Sequence, residues 1–141
     1  MLRPINPPGV WQPRGRGFSM GAVDPMDGNT IRFTGQVAWD AGEKIVGLGD
    51  IYAQTRQCFR NIHTILESVG ARFDDIVEIT TYFTDRTQLS AIQEVRLEFL
   101  STTAPPVSTS IMVAGLGHPE FLVELTPIAI VPKDRFRIPS P

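Results

Sequence analysis

The chain is poor in the groups from which several kinds of active site are built. Its 141 residues include one cysteine and two histidines. An intrachain disulfide is therefore excluded, and soft or imidazole ligands are too scarce for the three or four that a zinc site needs. Cys58 and His63 stand five residues apart, which does not align them on one face of a helix. There is no Gly-x-Ser-x-Gly elbow, and nothing singles out a serine–histidine pair. Gly47-Leu48-Gly49 lacks the third glycine of a dinucleotide loop and is not followed by Gly-Lys-Ser/Thr, so it reads as a plain turn. Basic charge is not in excess either: 13 Lys and Arg face 15 Asp and Glu, for a net charge of −2. Such a balance offers a polyanion no general field, and no nucleic acid is expected as a partner. No stretch approaches the roughly 18–20 apolar residues that cross a bilayer, and the opening residues carry no apolar run of the secretory kind. With a lone thiol, the expected setting is a reducing cytoplasm, away from membranes.

What the chain does have is turns. Twelve glycines and twelve prolines accompany 42% apolar residues, a profile that fits one compact domain with frequent breaks. Pro4, Pro7, Pro8, Pro13, Gly9, Gly15 and Gly17 crowd residues 1–17, which read as an extended arm. Pro132, Pro139 and Pro141 break up residues 132–141, which read as a tail. The ordered domain is expected over residues 18–131. Within it, residues 31–37 alternate with period two, the pattern of a strand with one buried face, and Gly28-Asn29 resembles a hairpin turn from an earlier strand at 18–23. From Asp50 to Gly70 the spacing becomes helical: Ile51, Thr55, Cys58, Ile62, Ile65, Leu66 and Val69 form one stripe, with Asp50 as N-cap and Gly70 as the C′ residue. Cys58 falls in that stripe and reads as a small core residue. Residues 76–84 are β-branched and aromatic and predict a strand. A second helix follows, capped by Asp85 or Thr87, with Leu89, Ile92, Val95 or Arg96, and Phe99 as its stripe. Strands at 107–114 and 121–131 complete the order β-β-α-β-α-β-β. This predicts an α+β fold with two amphipathic helices laid on one face of a mixed sheet.

Glu124 stands out because apolar residues flank it in Phe121-Leu122-Val123-Glu124-Leu125. A carboxylate in such a strand needs a cation, hydrogen bonds or a polar cavity to receive it. The alternative is an edge strand with one solvated face, which Pro127 supports, since proline is mostly confined to edges or bulges. The local pattern leaves both readings open.

Several segments together resemble the Rid family, the reactive-intermediate or enamine/imine deaminases also called YjgF-like proteins. Phe33-Thr34-Gly35-Gln36 is similar to that family's aromatic-Ser-Gly-Gln strand. Asp50-Ile51-Tyr52-Ala53-Gln54-Thr55-Arg56-Gln57, followed by Asn61-Ile62, resembles its helix signature. Val77-Glu78-Ile79-Thr80-Thr81-Tyr82-Phe83-Thr84-Asp85 resembles its strand ending in Thr-Asp, Ile92-Gln93-Glu94-Val95 its Asn-Glu-Val segment, and Glu124 falls on the Glu of its last strand. The likeness spans residues 18–131 in the family's order. It implies a chorismate-mutase-like fold and a homotrimer whose sheets line a barrel-like core, with small-molecule clefts between subunits. Both faces of residues 121–131 are largely apolar, which fits a sheet covered on each side.

The resemblance also implies a site and shows where this chain departs from it. Active members hold the α-carboxylate of a 2-imino acid with the Arg of a Pro-x-Arg-Ser motif, and the last-strand Glu positions the attacking water. Here that motif reads Pro105-Pro106-Val107-Ser108-Thr109: Val107 replaces the Arg, and Thr109 stands where Cys is common. Gln93 replaces an Asn, Thr34 a Ser, and Phe18 a Tyr of the N-terminal loop. The implied site is Glu124 as the catalytic group, with Phe18, Thr34, Gly35, Gln93, Val107 and Thr109 as substrate-binding residues and neither metal nor cofactor. A two-pronged ion pair that valine cannot make is lost, so the usual 2-imino acids are not the expected substrates. Arg14, Arg16 and Arg96 are possible replacements, with a solvated surface cation as the ordinary reading of each. Two functions follow: hydrolysis of some other imine or enamine, or a non-catalytic ligand-binding trimer. A ribonuclease fits poorly with the acidic balance and the lack of a His/Lys constellation.

Overall fold

The computed structural model describes residues 2–139; Met1, at the head of the predicted arm, and Ser140 and Pro141, at the end of the predicted tail, lie outside the described residues. In chain order the elements are β1 (Arg3–Ile5), β2 (Gly21–Val23), β3 (Asn29–Arg32), α1 (Ile51–Ser68), β4 (Ile76–Phe83), α2 (Leu89–Phe99), β5 (Val107–Met112) and β6 (Val123–Val131), with 3-10 turns at Phe73–Asp75 and Arg86–Gln88. The main sheet has the order β3-β6-β4-β5, and β1 and β2 form a separate ribbon. Strands β4 and β5 run parallel, joined by α2 as the crossover that parallel pairing requires, while β6 is antiparallel to both its neighbours. The α+β reading holds, with both helices on one face.

Helix α1 follows its predicted limits closely. The Ala53 N–H donates to Asp50 Oδ1 at 3.1 Å, closing the N-cap. At the other end the Ala71 and Gly70 N–H groups return to the Leu66 and Glu67 carbonyls at 2.9 and 3.1 Å, a Schellman ending with Gly70 at φ +76. The stripe Ile51, Cys58, Ile62, Leu66 and Val69 is buried and packs on the odd-numbered side of β6, where Val123, Leu125, Ala129 and Val131 are buried too. Phe59 stacks on Phe99 of α2 with ring centroids 4.8 Å apart, locking the helices together.

Four expectations change. Residues 3–5 of the arm form a strand rather than irregular chain, pairing with β2 through Pro4↔Ala22; an exposed edge tolerates the missing proline N–H. The hairpin at Gly28-Asn29 does not form, because β2 pairs with β1 and β3 pairs with β6. Gly28 instead lets the chain approach the end of β6, where a Cβ would lie 2.8 Å from the Val131 carbonyl oxygen. Strand β6 is central, so the edge-strand reading of Glu124 fails. Finally, the strand predicted at 31–37 stops at Arg32 and touches β6 again only at Gln36. Leu125 exchanges both backbone hydrogen bonds with Gln36, at 2.7 and 2.9 Å, so residue 127 turns its backbone toward the same neighbour. Pro127 has no N–H to offer there. Residues 33–35 therefore bow out opposite 126–127 as a bulge.

The tail lacks regular structure yet is anchored. Arg135 donates to both carboxylate oxygens of Asp75, at 2.9 and 2.7 Å, and to the Gly70 carbonyl at 3.0 Å, while Phe136 packs against the core. A Cβ at position 70 would collide with the Arg135 carbonyl. Replacing Gly70 by Ala should therefore cost about 1–2 kcal/mol from the left-handed backbone, and more from the displaced tail, read as a lower urea midpoint with unchanged slope. An unchanged midpoint would contradict this ending of α1.

Candidate functional site

The even-numbered side of β6 turns away from the helices, and its residues Glu124, Thr126, Ile128 and Ile130 are half-buried. Strand pairing sets three rows across this open face: Glu124–Tyr82–Ile111, Thr126–Thr80–Thr109 and Arg32–Ile128–Glu78–Val107. Of the predicted site residues, Glu124, Val107 and Thr109 share this face. Gly35 meets Glu124 directly, since a Cβ at position 35 would strike its carboxylate. Thr34 is exposed beside it, its carbonyl accepting the Gln36 side-chain N–H at 2.9 Å.

A second group gathers near Val107. Ser19 bridges to Val107, its N–H donating to the Pro106 carbonyl at 3.0 Å and its Oγ to the Pro105 carbonyl at 2.8 Å. This brings the adjacent Phe18 to the start of β5, where it stacks on Trp11 with centroids 5.9 Å apart. From the row pattern, Val107 lies four residues along and two strands across from Glu124, roughly 16 Å away. One subunit thus holds the predicted residues in two separate groups. Gln93 joins neither, because it is on α2, in the layer on the other side of the sheet.

The charges around Val107 are mostly exposed. Its cross-strand neighbour on the open face is the exposed carboxylate Glu78, which disfavours an anion at position 107. Arg14 and Arg16 are exposed, as expected, and the Arg16 guanidinium lies 5.0 Å over the Trp11 ring. Arg96 differs: it takes an inward position one turn before the end of α2, under the arm, and is 3% exposed. Cys58 is fully buried, and burial pushes its thiol up to about 12, so it is no nucleophile at neutral pH. Among the described residues, no group of three or more His, Cys, Asp or Glu side chains is placed to hold a metal ion, and no helix is long and apolar enough to cross a membrane.

Two residues outside the predicted set position the Glu124 side. Gln54, fully buried, donates to the Gly47 and Glu120 carbonyls at 3.1 and 2.8 Å and accepts the Leu122 N–H at 2.9 Å. It thereby fixes the entry to β6. Asn61, two turns on, donates to the Val37 and Trp39 carbonyls at 3.0 and 2.9 Å and holds the chain that follows the bulge. Their signal in the sequence is a pair of carboxamides seven apart on the inward side of an amphipathic helix.

The family model described as Endoribonuclease L-PSP matches residues 15–131. A RutC family protein of Pyrococcus horikoshii is 31% identical over 102 residues, 72% of this chain and 79% of its own. Among solved structures, YyfB of Yersinia pestis, a Rid family protein of unknown function, has a TM-score of 0.81 at 32% identity, covering 92% of this chain and 98% of its own. RidA of an Antarctic Psychrobacter has a TM-score of 0.68 at 25% identity, covering 83% and 95%.

The contact between Gly35 and Glu124 is testable. Gly35 has no left-handed backbone, so Gly35→Ala should keep the fold, moving Tm by less than about 4 °C. The added methyl should displace the Glu124 carboxylate, seen as a shift of its side-chain carboxyl carbon resonance. A resonance that stays in place would show that the two do not touch.

Proposed function

Because the chain belongs to the Rid (YjgF-like) family, whose model carries the description Endoribonuclease L-PSP, we propose that it acts as a homotrimer that binds a small metabolite in clefts between subunits and adds water across a C=N bond there. The observation that carries this reading is the placement of Glu124: a half-buried carboxylate on the open face, set against the backbone of Gly35. The separation of the two groups supports the trimer, since a second copy is what would set the Val107 side of one subunit against the Glu124 side of another.

In this mechanism Glu124 accepts a proton from water as the oxygen bonds to the imine carbon, and the imine nitrogen is protonated. The carbinolamine so formed collapses to a carbonyl compound and ammonia, with Glu124 relaying the proton. A positioned water and one carboxylate suffice, and general acid–base catalysis of this kind contributes about 10²–10⁴-fold. Thr34 and Thr109 would line the assembled cleft as hydrogen-bonding groups, with Phe18 as an apolar wall. Val107, with Glu78 across from it, argues against a substrate that places its α-carboxylate at position 107. Those carboxylates on the open face also argue against RNA as the ligand.

The test is hydrolysis of imines generated in place by a coupled enzyme. The protein should not speed loss of 2-aminoacrylate or 2-iminobutyrate but should hydrolyse imines or enamines without an α-carboxylate, and Glu124→Gln should slow that reaction about 10²–10⁴-fold. Rapid turnover of 2-iminobutyrate would overturn the substrate assignment. A Glu124→Gln variant of full activity would overturn the role of the carboxylate, and failure of every imine would favour the non-catalytic binding trimer.

A further inference from the structure

Arg96 combines burial with a missing partner. Its Nε donates to the Gly17 carbonyl at 3.4 Å, long for such a bond, and its Nη2 is buried with no acceptor. Among the described residues no carboxylate forms an ion pair with it. Burial lowers its pKa to about 10, which still leaves it protonated at neutral pH. An ionised group held away from water without compensation is among the most unfavourable arrangements in a folded protein.

The covering segment lies close against α2. Gly17, at φ +78, rests on α2 so tightly that a Cβ would sit 2.8 Å from Leu97 Cδ2, and Gly15 is also left-handed, at φ +77. Just beyond, Ser19 ties the chain to Pro105 and Pro106. Residues 15–17 therefore form a strap between a fixed point and a glycine pivot. Gly15 and Gly17 also line a cavity of about 270 Å³, together with Arg14, Phe18, Thr103 and Pro105; Arg96 is not in that lining and is separated from it by Gly17, whose carbonyl it meets. A small displacement of the Gly17 carbonyl would open the guanidinium to this cavity.

We propose that Arg96 is the anion-binding group of this cavity and takes the carboxylate of a small organic monoanion. The planar guanidinium fork matches a carboxylate in two-pronged fashion, and its single charge is balanced by a monoanion. Phe18 and Pro105 provide apolar wall for a short carbon chain. The anion site is thus displaced from position 107 by two residues of the strap, about 7 Å along the chain. The imine-hydrolysis reading enters only in making this the same cleft; binding at Arg96 does not require turnover.

The experiment is an NMR titration of the full-length protein with sodium propionate, following the Arg96 Nε–H and Gly17 amide signals, with propionamide as the neutral isostere and sodium chloride at matched ionic strength. Propionate should move both signals saturably and raise Tm, while propionamide and chloride should not. Arg96→Met should weaken propionate binding roughly 10- to 150-fold, and without propionate it should be at least as stable as the parent because an unpaired buried charge is gone. Arg96→Lys should retain weak binding. Equal responses to propionate and propionamide, or unchanged propionate affinity in Arg96→Met, would overturn the proposal. So would Arg96 signals that ignore propionate but change with protein concentration, which would assign the counter-charge to a second copy, or a response to inorganic phosphate alone. If Arg96→Met fails to fold, the parent titration decides, because the amide control separates charge from shape. An intact propionate response without any imine hydrolysis would sink the catalytic reading and leave the anion site standing.

Discussion

The missing N–H of Pro127 is the constraint around which the open face is organised. Strand β6 is central, where every backbone donor normally has a neighbour, and at residue 127 the donor facing β3 does not exist. The pairing with β3 stops at Arg32 and resumes at Gln36, so residues 33–35 bulge and set Gly35 against Glu124. Only glycine leaves room for the carboxylate there. The same break explains how a glutamate can stand in an otherwise apolar central strand: the sheet is locally open beside it, and no helix covers that side.

Two polar side chains of α1 then hold the arrangement in place. From the buried side of the helix, Gln54 reaches the entry to β6 and Asn61 the chain that follows the bulge, satisfying backbone groups that no strand pairs. The rest of the chain's charge is arranged with equal economy. Asp75 and Arg135 satisfy each other and pin the tail, Glu78 stands beside Val107, and Arg96 waits under the arm with an unpaired nitrogen.

Much of this was legible in residue order. The spacing from Ile51 to Val69, bracketed by Asp50 and Gly70, defines α1 because cap, stripe and stop agree. Residues 76–83 declare β4 through β-branching alone, and Glu124 announces itself by its apolar flanks. What escaped were features set by long-range partners. The β1–β2 ribbon joins residues whose prolines argue against a strand, and Gly28 serves a close approach to Val131 that no local pattern reveals. Pro127 pointed to an edge or a bulge, and the choice between them depends on the neighbour 90 residues earlier, roughly, in the chain. Residue order favours a surface cation at Arg96, because arginine is seldom buried unpaired; its burial depends on an arm nearly 80 residues away, whose Gly17 carbonyl meets it.

In the proposed trimer, the Glu124 side and the Val107 side of the open face form one site only across copies of the chain. The direct measurement is cross-linking of a Thr34→Cys, Thr109→Cys double variant by a short bis-maleimide in dilute solution. Both positions are exposed, they lie about three strand spacings apart within a subunit, roughly 14 Å, and the native thiol of Cys58 is buried. A trimeric site gives covalent dimers and trimers on a denaturing gel, with the ladder ending at three. A product that remains monomeric would contradict it.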